Sequence, residues 1–332
     1  MTESSHISVR NLSVHFVLGR QLFGKPPVVR AVDEVSLEIP KGSFFGLVGE
    51  SGSGKTTLGR AILRAAPITS GQILYCDDEV EYDLGNIAKE QLKDYRRRAQ
   101  LIFQDPYAAL SPRMTVRDII AEPLEVMGIT NTRAETDDRV REIASKCRLN
   151  LEHLRRFPHA FSGGQRQRIS IARALVCNPR FVVADESVAA LDVSIQADIL
   201  NLLESLRGEL MNTFFFISHD LSVVAHICDT VAVMYLGALV ESAPTRSLFS
   251  NPSHPYTKAL LSAIPSLDPD VRGKVQKLEG EIPSPVSPPS GCKFHTRCSL
   301  AEERCRSEVP LWRELSEGHS VACHFAKPKT LS

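Results

Sequence analysis

The stretch that decides the fold is FFGLVGESGSGKTT, residues 44–57. Its first five residues are an apolar run with the length and character of a strand buried on both faces of a parallel sheet. The next nine, from Gly49 to Thr57, fit the pattern G-x-x-x-x-G-K-[ST] in full. Glycines at these positions let consecutive backbone N–H groups surround phosphate oxygens, where a side chain would block the approach. The stretch therefore predicts a strand, a phosphate-binding loop and a helix.

Two side chains of this loop have predicted roles of their own. Lys55 should reach the β and γ phosphates of a nucleotide, and the Thr56 hydroxyl should bind Mg²⁺. The helix that begins there adds its positive dipole end. A glycine-rich turn with a chance lysine is the alternative, and the strand before it and the helix after it argue against that. The predicted nucleotide-binding residues of the loop are Gly49, Glu50, Ser51, Gly52, Ser53, Gly54, Lys55, Thr56 and Thr57.

Four further apolar runs have the same strand character, and three of them end at polar side chains. Because ligands of open α/β sheets lie beyond the carboxyl ends of the strands, we expect one site built from several strand ends. Apolar spacing predicts crossover helices over 165–177 and 196–210, so the fold class is α/β. The runs are LIF (101–103), FVVA (181–184), FFFI (214–217) and VAVM (231–234), and the polar groups that follow are Gln104, Asp185 with Glu186, and Ser218 with His219.

The pair Asp185-Glu186 supplies the carboxylates that such a site needs. Asp185 is placed to hold Mg²⁺, directly or through water, and Glu186 is placed to polarise an attacking water. Phosphoryl transfer depends on positioning, charge neutralisation and an oriented nucleophile more than on covalent help from the protein. A solvated acidic turn is the alternative, and the complete phosphate loop in the same chain argues against it.

Composition bounds the class of protein. The chain has 332 residues, enough for one large domain and a smaller one, and Lys+Arg and Asp+Glu both number 39. Because the positive and negative charges balance, the net charge gives no reason to expect nucleic acid as a partner. No apolar run approaches the roughly 20 residues of a membrane-spanning helix, and the first residues show no signal-peptide pattern. We therefore expect a cytoplasmic protein that is free to dock on a membrane partner.

The segment FSGGQRQRISIARAL, residues 161–175, resembles the signature motif of ATP-binding cassette (ABC) ATPases. Like that motif, it lies upstream of the strand that ends at Asp185. The resemblance implies a P-loop NTPase fold with an ABC-type nucleotide-binding domain and a helical subdomain over about 106–164. It also implies that two subunits pair head to tail, so that each signature caps the other's nucleotide. The residues that would contact ATP in the partner are Ser162, Gly163, Gly164 and Gln165.

The same resemblance assigns roles to single residues. Gln104 matches the glutamine that senses Mg²⁺ and the attacking water, and it begins the segment that meets the membrane subunit. His219 matches the switch histidine, and Asp192 in AALD (189–192) matches the acidic member of a loop that crosses the dimer interface. Phe16 matches the aromatic that stacks on adenine, although packing in a strand is its alternative role. The implied catalytic residues are Lys55, Gln104, Glu186 and His219, and the implied Mg²⁺ ligands are Thr56, Gln104 and Asp185.

Further motifs narrow the resemblance to ATPase subunits of oligopeptide/dipeptide-type importers. They are FQDPYAALSPRMTV (103–116), AEPL (121–124), NPSHPYTKALLSAIP (251–265) and a cysteine-rich tail. The resemblance implies ATP hydrolysis that energises peptide import from the cytoplasmic face of the membrane. Its implied partners are two transmembrane permease subunits, a second ABC ATPase, for which a paralogue is favoured, and an extracytoplasmic substrate-binding protein. Nickel, glutathione or oligosaccharide are alternative cargos, and a soluble ABC ATPase of DNA repair or ribosomes is the alternative class.

The chain departs from the family pattern just after the carboxylates. Ser187 and Val188 stand where the family usually has Pro and Thr. Neither is expected to touch phosphate, so the change concerns the rigidity of the loop. The intact Glu186 and His219 disfavour a cassette that binds ATP without hydrolysing it. We expect the ABC domain over 1–265 and a C-terminal extension over 266–332.

The extension contains four cysteines, Cys292, Cys298, Cys305 and Cys323. Their spacing is not the paired C-x2-C arrangement that usually indicates zinc, and cytoplasmic thiols are normally reduced. Four thiolates fit a [4Fe–4S] cluster, and the family resemblance favours it. Zinc, metal-free thiols and a disulfide are the alternatives. The basic residues expected to offset the charge of such a site are Lys293, Arg297, Arg304 and Arg306.

Overall fold

The structure, a computed structural model, describes residues 5–19, 26–189, 191–264, 278 and 280–327. It divides into two compact units. The first unit comprises Met1–Ile7, Ile39–Phe44 and Leu74–Ile217, and the second comprises Ser8–Glu38, Phe45–Ile73 and Ser218–Ser332. The predicted domain boundary between residues 265 and 266 lies outside the described residues.

The described elements alternate strands and helices along most of the chain. The strands are β1 Ser5–Val17, β2 Val28–Pro40, β3 Phe44–Val48, β4 Ser70–Cys76, β5 Glu81–Asp83, β6 Ala99–Ile102, β7 Phe181–Asp185, β8 Thr213–Ser218, β9 Thr230–Tyr235, β10 Ala238–Pro244, β11 Trp312–Ser316 and β12 His319–Ala322. The helices are α1 Lys55–Ile62, α2 Lys89–Arg98, α3 Pro106–Ala109, α4 Val116–Met127, α5 Arg133–Lys146, α6 Gly163–Leu175, α7 Val193–Leu210, α8 Leu221–Ile227, α9 Thr245–Ser250, α10 Pro255–Ser262 and α11 Glu303–Ser307.

A parallel sheet of β6, β7 and β8 organises the first unit. β7 lies in the middle, with Ile102 of β6 opposite Ala184 and Ile217 of β8 opposite Asp185. Every residue of β7 and β8 is buried, which explains why both sequences are continuous apolar runs. The carboxyl end of β7 therefore presents Asp185 at the edge of the sheet.

The segment predicted as a helical subdomain contains α3, α4 and α5 and two single-turn 3₁₀ helices, Leu151–His153 and Pro158–Ala160. Thr115 is the N-cap of α4, and its hydroxyl oxygen accepts the N–H of Asp118. Gly128, in the left-handed conformation, is the C-cap. α4 packs against α5 and α6. The signature helix α6 thereby rests on this group of helices.

The second unit is built around β9, which is parallel to β3 and antiparallel to β10. β10 pairs with β12, and β12 pairs with β11, both antiparallel. The C-terminal extension therefore adds two strands to the sheet of this unit. It also has a small apolar cluster of its own, made of Leu315, Val321, Cys323 and Ala326.

Further strands form a second sheet, in which β2, β1 and β4 are neighbours and β4 pairs with β5 in antiparallel register. Most strand predictions are confirmed: β3 has the predicted bounds, and β7, β8 and β9 contain the predicted runs. β6 differs, because it starts at Ala99 and ends before Phe103, whose side chain is exposed. α6 and α7 also begin two or three residues earlier than predicted, directly after Ser162 and Asp192.

Among the described residues, no helix has the length and apolar character needed to cross a membrane.

Candidate functional site

The predicted site residues divide between the two units. The first unit carries Gln104, the carboxylates Asp185 and Glu186, the signature 162–165 and Asp192. The second unit carries the phosphate loop, Phe16, His219 and the four cysteines.

The phosphate loop has a backbone that only glycine permits at two positions. Gly49 has φ 154° and Gly54 has φ 104°. A Cβ on Gly49 would lie 2.2 Å from the carbonyl oxygen of Met234, and one on Gly54 would lie 2.0 Å from that of Ala31. Both glycines are therefore needed for the local conformation, because any side chain would collide with fixed backbone atoms.

Lys55, the first residue of α1, lies inside the loop and is 4% exposed. Its Nζ donates to the carbonyl oxygens of Gly49 at 2.7 Å and Glu50 at 2.9 Å. The ammonium charge thus lies within the loop that leads into α1, whose first N–H groups carry the positive end of the helix dipole. This concentration of positive potential suits a polyphosphate.

The hydrolytic carboxylate predicted at the end of β7 is in contact with the predicted glutamine. Gln104 Nε2 donates to Glu186 Oε2 at 2.7 Å. The Glu186 N–H donates to the carbonyl of Ile217 at 2.9 Å, and its backbone adopts φ 47°. Asp185, directly before it, is 5% exposed. The two carboxylates therefore occupy consecutive positions with different environments, one enclosed by the sheet and one directed to an amide.

The two residues that depart from the family pattern are both buried. Ser187 and Val188 are each 2% exposed. Ser187 Oγ has no hydrogen-bond partner in the described part of the chain. The hydroxyl is thus buried without a hydrogen bond from the described residues that would compensate for its lost hydration.

We expect Ser187→Ala to leave the free energy of unfolding unchanged or to raise it by up to about 1 kcal/mol, because it removes an uncompensated buried hydroxyl. Urea unfolding measures this. Ser162→Ala is the contrasting variant and should cost about 0.5–2 kcal/mol, since that hydroxyl caps α6. A loss of more than about 1 kcal/mol in Ser187→Ala would show that its hydroxyl does make a stabilising bond.

The signature residues form the start of α6. Ser162 Oγ accepts the N–H of Gln165 at 3.4 Å, and Gln165 Oε1 accepts the N–H of Ser162 at 3.0 Å, which makes a capping box. A Cβ on Gly164 would lie 2.5 Å from Cγ2 of Ile195. Gly164 therefore permits the close packing of α6 against α7.

We expect Gly164→Ala to lower the free energy of unfolding by about 1–3 kcal/mol, because the Cγ2 of a β-branched isoleucine has little freedom to move. Gly163→Ala is the matched control, since its Cβ would lie 3.8 Å from the flexible end of Leu191. It should be neutral or slightly stabilising. Equal losses in the two variants would contradict this explanation.

Three further predicted site residues have exposed side chains. Phe16 lies near the end of β1 and is 37% exposed, so its ring is available for stacking. His219 follows β8 directly and is exposed. Asp192 precedes α7 and is also exposed, whereas Ala190 of the same loop lies outside the described residues.

The four cysteines of the extension are free thiols. Burial, together with the neighbouring Cys305, Cys323 and Cys298, raises the pKa of Cys292 to about 11, against the lowering effect of a backbone hydrogen bond from Phe294. At neutral pH the unligated Cys292 thiol is therefore protonated, and a metal would have to displace its proton. Within the described ranges, no group of three or more His, Cys, Asp or Glu side chains is spaced to hold a metal ion.

Two basic residues between these cysteines are paired with carboxylates rather than left to face the thiols. Arg297 binds Glu50 through both nitrogens, at 2.7 and 3.1 Å, and this contact raises the pKa of its guanidinium. Lys293 Nζ donates to Asp33 Oδ2 at 2.8 Å. Sequence reasoning missed both contacts, because the partners are about 250 residues apart in the chain.

Tyr256 is another residue that sequence reasoning missed. It lies in the motif NPSHPYTKALLSAIP (251–265), to which only a family resemblance was assigned from the sequence, and its N–H donates to His254 Nδ1 at 3.0 Å, which caps α10. Tyr256 Oη, however, also accepts the N–H of Glu50 at 2.9 Å. The match of this motif to the family pattern was the sequence signal that could have indicated a contact with the phosphate loop.

Comparisons with known proteins agree with this geometry. A profile of the family described as "ABC transporter" matches residues 32–189, and one described as "Oligopeptide/dipeptide transporter, C-terminal region" matches residues 240–305. Among solved structures, the chain is similar to the dimeric structure of MJ0796, a bacterial ABC transporter cassette. The TM-score is 0.62 and the identity 27%, over 72% of this chain and 99% of that one.

Relatives match over nearly the whole chain. A Brucella ovis protein named as a peptide import ATP-binding protein is 50% identical, over 97% of this chain and 98% of its own. The oligopeptide transport ATP-binding protein AppF of Bacillus subtilis is 47% identical, over 96% and 97%. The di/tripeptide transport ATP-binding protein DppF of Pseudomonas aeruginosa is 45% identical, over 97% and 98%.

Proposed function

The chain belongs to the ATP-binding subunits of ABC transporters with an oligopeptide/dipeptide-type C-terminal region, and on that premise we propose that it energises the import of peptides. It is an ABC-type ATPase. The observation that carries the proposal is the 2.7 Å hydrogen bond from Gln104 to Glu186. By family resemblance, Gln104 begins the segment that meets the membrane subunit, so this bond would connect the permease to the hydrolytic carboxylate.

Each group of the site has a proposed part in hydrolysis. Lys55 and the loop N–H groups bind the β and γ phosphates, and Phe16 stacks on adenine. Thr56, Asp185 and Gln104 would hold Mg²⁺, because their oxygen donors suit a hard cation, and the ion would neutralise charge on the phosphates. Glu186 orients and deprotonates the attacking water, and His219 contacts the γ-phosphate.

We further propose that two ATPase subunits sandwich the nucleotides. The capped start of α6 with Gly163 and Gly164 is a second helix N-terminus suited to phosphate, beyond the one that α1 provides. Its natural ligand is the nucleotide of a partner subunit, with Asp192 at the interface. The partner ATPase is a paralogue, and the two ATPases bind two permease subunits at the cytoplasmic face of the membrane. A substrate-binding protein delivers the cargo to the permease from the other side.

Reconstitution tests the cargo. The complex of both ATPases and the permease in proteoliposomes, with its binding protein, should show peptide uptake and peptide-stimulated ATP hydrolysis. Nickel, glutathione and an oligosaccharide are the comparison substrates, because related systems carry them. Stimulation by one of these and not by di- or oligopeptides would overturn the peptide assignment while leaving the ATPase assignment intact.

For the extension we propose a [4Fe–4S] cluster held by Cys292, Cys298, Cys305 and Cys323. The effect of the other three thiols on the pKa of Cys292 supports their proximity. A single zinc ion needs all four sulfurs about 2.3 Å from one point, whereas each thiolate of a cubane binds a different iron.

Anaerobic purification tests the cluster. The visible spectrum, iron and acid-labile sulfide should show about four irons and four sulfides per chain, lost in Cys298→Ser. A colourless protein with one zinc, or with no metal, would overturn the cluster and leave the ATPase assignment unaffected.

A further inference from the structure

The segment 291–323, which carries the four cysteines and which we call the four-cysteine segment, is anchored by a buried aromatic ring. Phe294 is 2% exposed. Its ring centroid lies 5.2 Å from that of Tyr235, 5.3 Å from that of Tyr256 and 5.6 Å from that of His254. These contacts fix the segment against β9 and the start of α10, both of which border the phosphate loop.

Three contacts hold Glu50, the second residue of the loop. Arg297, with a side chain 6% exposed, donates from Nη1 to Oε2 at 2.7 Å and from Nη2 to Oε1 at 3.1 Å. The Glu50 N–H donates to Tyr256 Oη, and its carbonyl accepts from Lys55 Nζ, each at 2.9 Å. A single loop residue therefore connects Arg297 to the lysine proposed to bind the phosphates.

A second tether reaches the loop from the same segment. Lys293 Nζ donates to the carbonyl of Leu236 at 3.2 Å and to Asp33 Oδ2 at 2.8 Å. Leu236 and Gly237 form the turn between β9 and β10, and the Gly237 N–H donates to the carbonyl of Ser53 at 2.9 Å. Lys293 thus fixes the turn, and the turn fixes the fifth residue of the loop.

Both tethers are adjacent to cysteines. Lys293 follows Cys292 directly, and Arg297 directly precedes Cys298. A change in the backbone at these cysteines therefore moves both tethers. Bidentate arginine–carboxylate pairs are strong and geometrically specific, and pre-organising a binding loop raises affinity by removing the cost of ordering it.

We propose that Arg297 and Lys293 are positioning residues of the nucleotide site, through which the four-cysteine segment sets the affinity of the chain for ATP. The inference rests on the proposed role of Gly49–Thr57 as the nucleotide loop. Arg297 acts through the side chain of Glu50, and Lys293 acts through the turn that binds Ser53. Because such coupling is reciprocal, bound nucleotide stabilises the segment by the same free energy.

Titration of the full-length chain with a fluorescent ATP analogue tests the proposal, since it gives both Kd and the number of sites per chain. Arg297→Gln should raise Kd about 5- to 50-fold with the number of sites unchanged, and Lys293→Gln should act in the same direction. Arg297→Lys should lie between, because a lysine cannot make the bidentate contact. Arg246→Gln is the matched control: Arg246 is an exposed arginine of α9 in the same unit, and the Kd of this variant should equal that of the wild type.

A double-mutant cycle tests the route. If Arg297 acts through Glu50, then Arg297→Gln combined with Glu50→Gln should raise Kd no more than the larger single effect. In the assembled transporter, Arg297→Gln should raise KM for ATP with kcat unchanged, as expected for a lost contribution to ground-state binding.

Several results would overturn the positioning role. They are an unchanged Kd in Arg297→Gln, additive effects in the cycle, or fewer sites per chain at unchanged Kd, which would indicate a purely structural part. Lys55→Ala separates this failure from a failure of the loop assignment. If Lys55→Ala binds the analogue as the wild type does, the loop assignment itself is wrong; if it abolishes binding while Arg297→Gln does not change it, only the positioning role is wrong.

Discussion

Glu186→Gln is expected to lower kcat for ATP hydrolysis by about 10²–10⁴-fold, the usual contribution of a positioned general base. Gln has nearly the same shape but cannot take a proton from the attacking water. The affinity for ATP should stay within about two-fold, because the lost interaction belongs to the transition state. Phosphate release by the assembled transporter and nucleotide binding by the chain measure the two quantities.

The contact with Gln104 supplies a second variant and Glu204 a control. Gln104→Ala removes the donor at 2.7 Å from Glu186 Oε2, and should lower kcat less than Glu186→Gln does, since the carboxylate is retained. Glu204→Gln changes an exposed carboxylate of α7 and should behave as the wild type. Residual hydrolysis in Glu186→Gln above a tenth of the wild-type rate would show that another group is the base.

The sequence was sufficient to predict the strands and the loop that carry these groups, for physical reasons that the structure makes visible. β7 and β8 are fully buried, so their composition is apolar from end to end and the polar residue after each run stands out. The phosphate loop is a local structure, and its glycines are required by backbone atoms that crowd it. Ser162 and Gln165, which close a capping box, are only three positions apart in the chain.

Contacts between distant parts of the chain could not be predicted in this way. The pairing of β12 with β10, and that of Arg297 with Glu50, depend on which surfaces the folded chain brings together. β11 and β12 are short and rich in polar residues, so no periodic apolar pattern marks them. The contact of Tyr256 with Glu50 is of the same kind, because it joins residues that are about 200 positions apart.

Glu241→Ala is expected to lower the free energy of unfolding by about 3–5 kcal/mol, the usual cost of breaking a buried ionic contact. Glu241 lies on β10 and is fully buried. His319 Nε2 lies 2.8 Å from its Oε1, and the N–H groups of Ser253 and His254 donate to the carboxylate at 2.7 and 2.9 Å. Truncation would remove the acceptor of all three groups, and leaving buried donors unsatisfied is costly.

The carboxylate also gives the stability a pH dependence with a defined sign. Burial would raise the pKa of Glu241, but the hydrogen bonds from His319 and from the backbone of His254 and Ser253 outweigh it and hold the pKa below its ordinary value of 4.5. The stabilisation is therefore complete above pH 4.5 and is lost as the pH falls through the lower pKa of the folded state. The wild type should lose more stability than Glu241→Ala between about pH 5 and pH 3.

Urea unfolding of the full chain across this pH range measures both effects, and Glu317→Ala is the matched control. Glu317 is an exposed carboxylate between β11 and β12, and its removal should change stability by less than about 0.5 kcal/mol. Glu241 contacts His319 of β12 in the extension and the residues directly before α10. Its loss should therefore also destabilise the four-cysteine segment. Equal stability of Glu241→Ala and Glu317→Ala would mean that the contact between Glu241 and His319 contributes nothing to holding the extension.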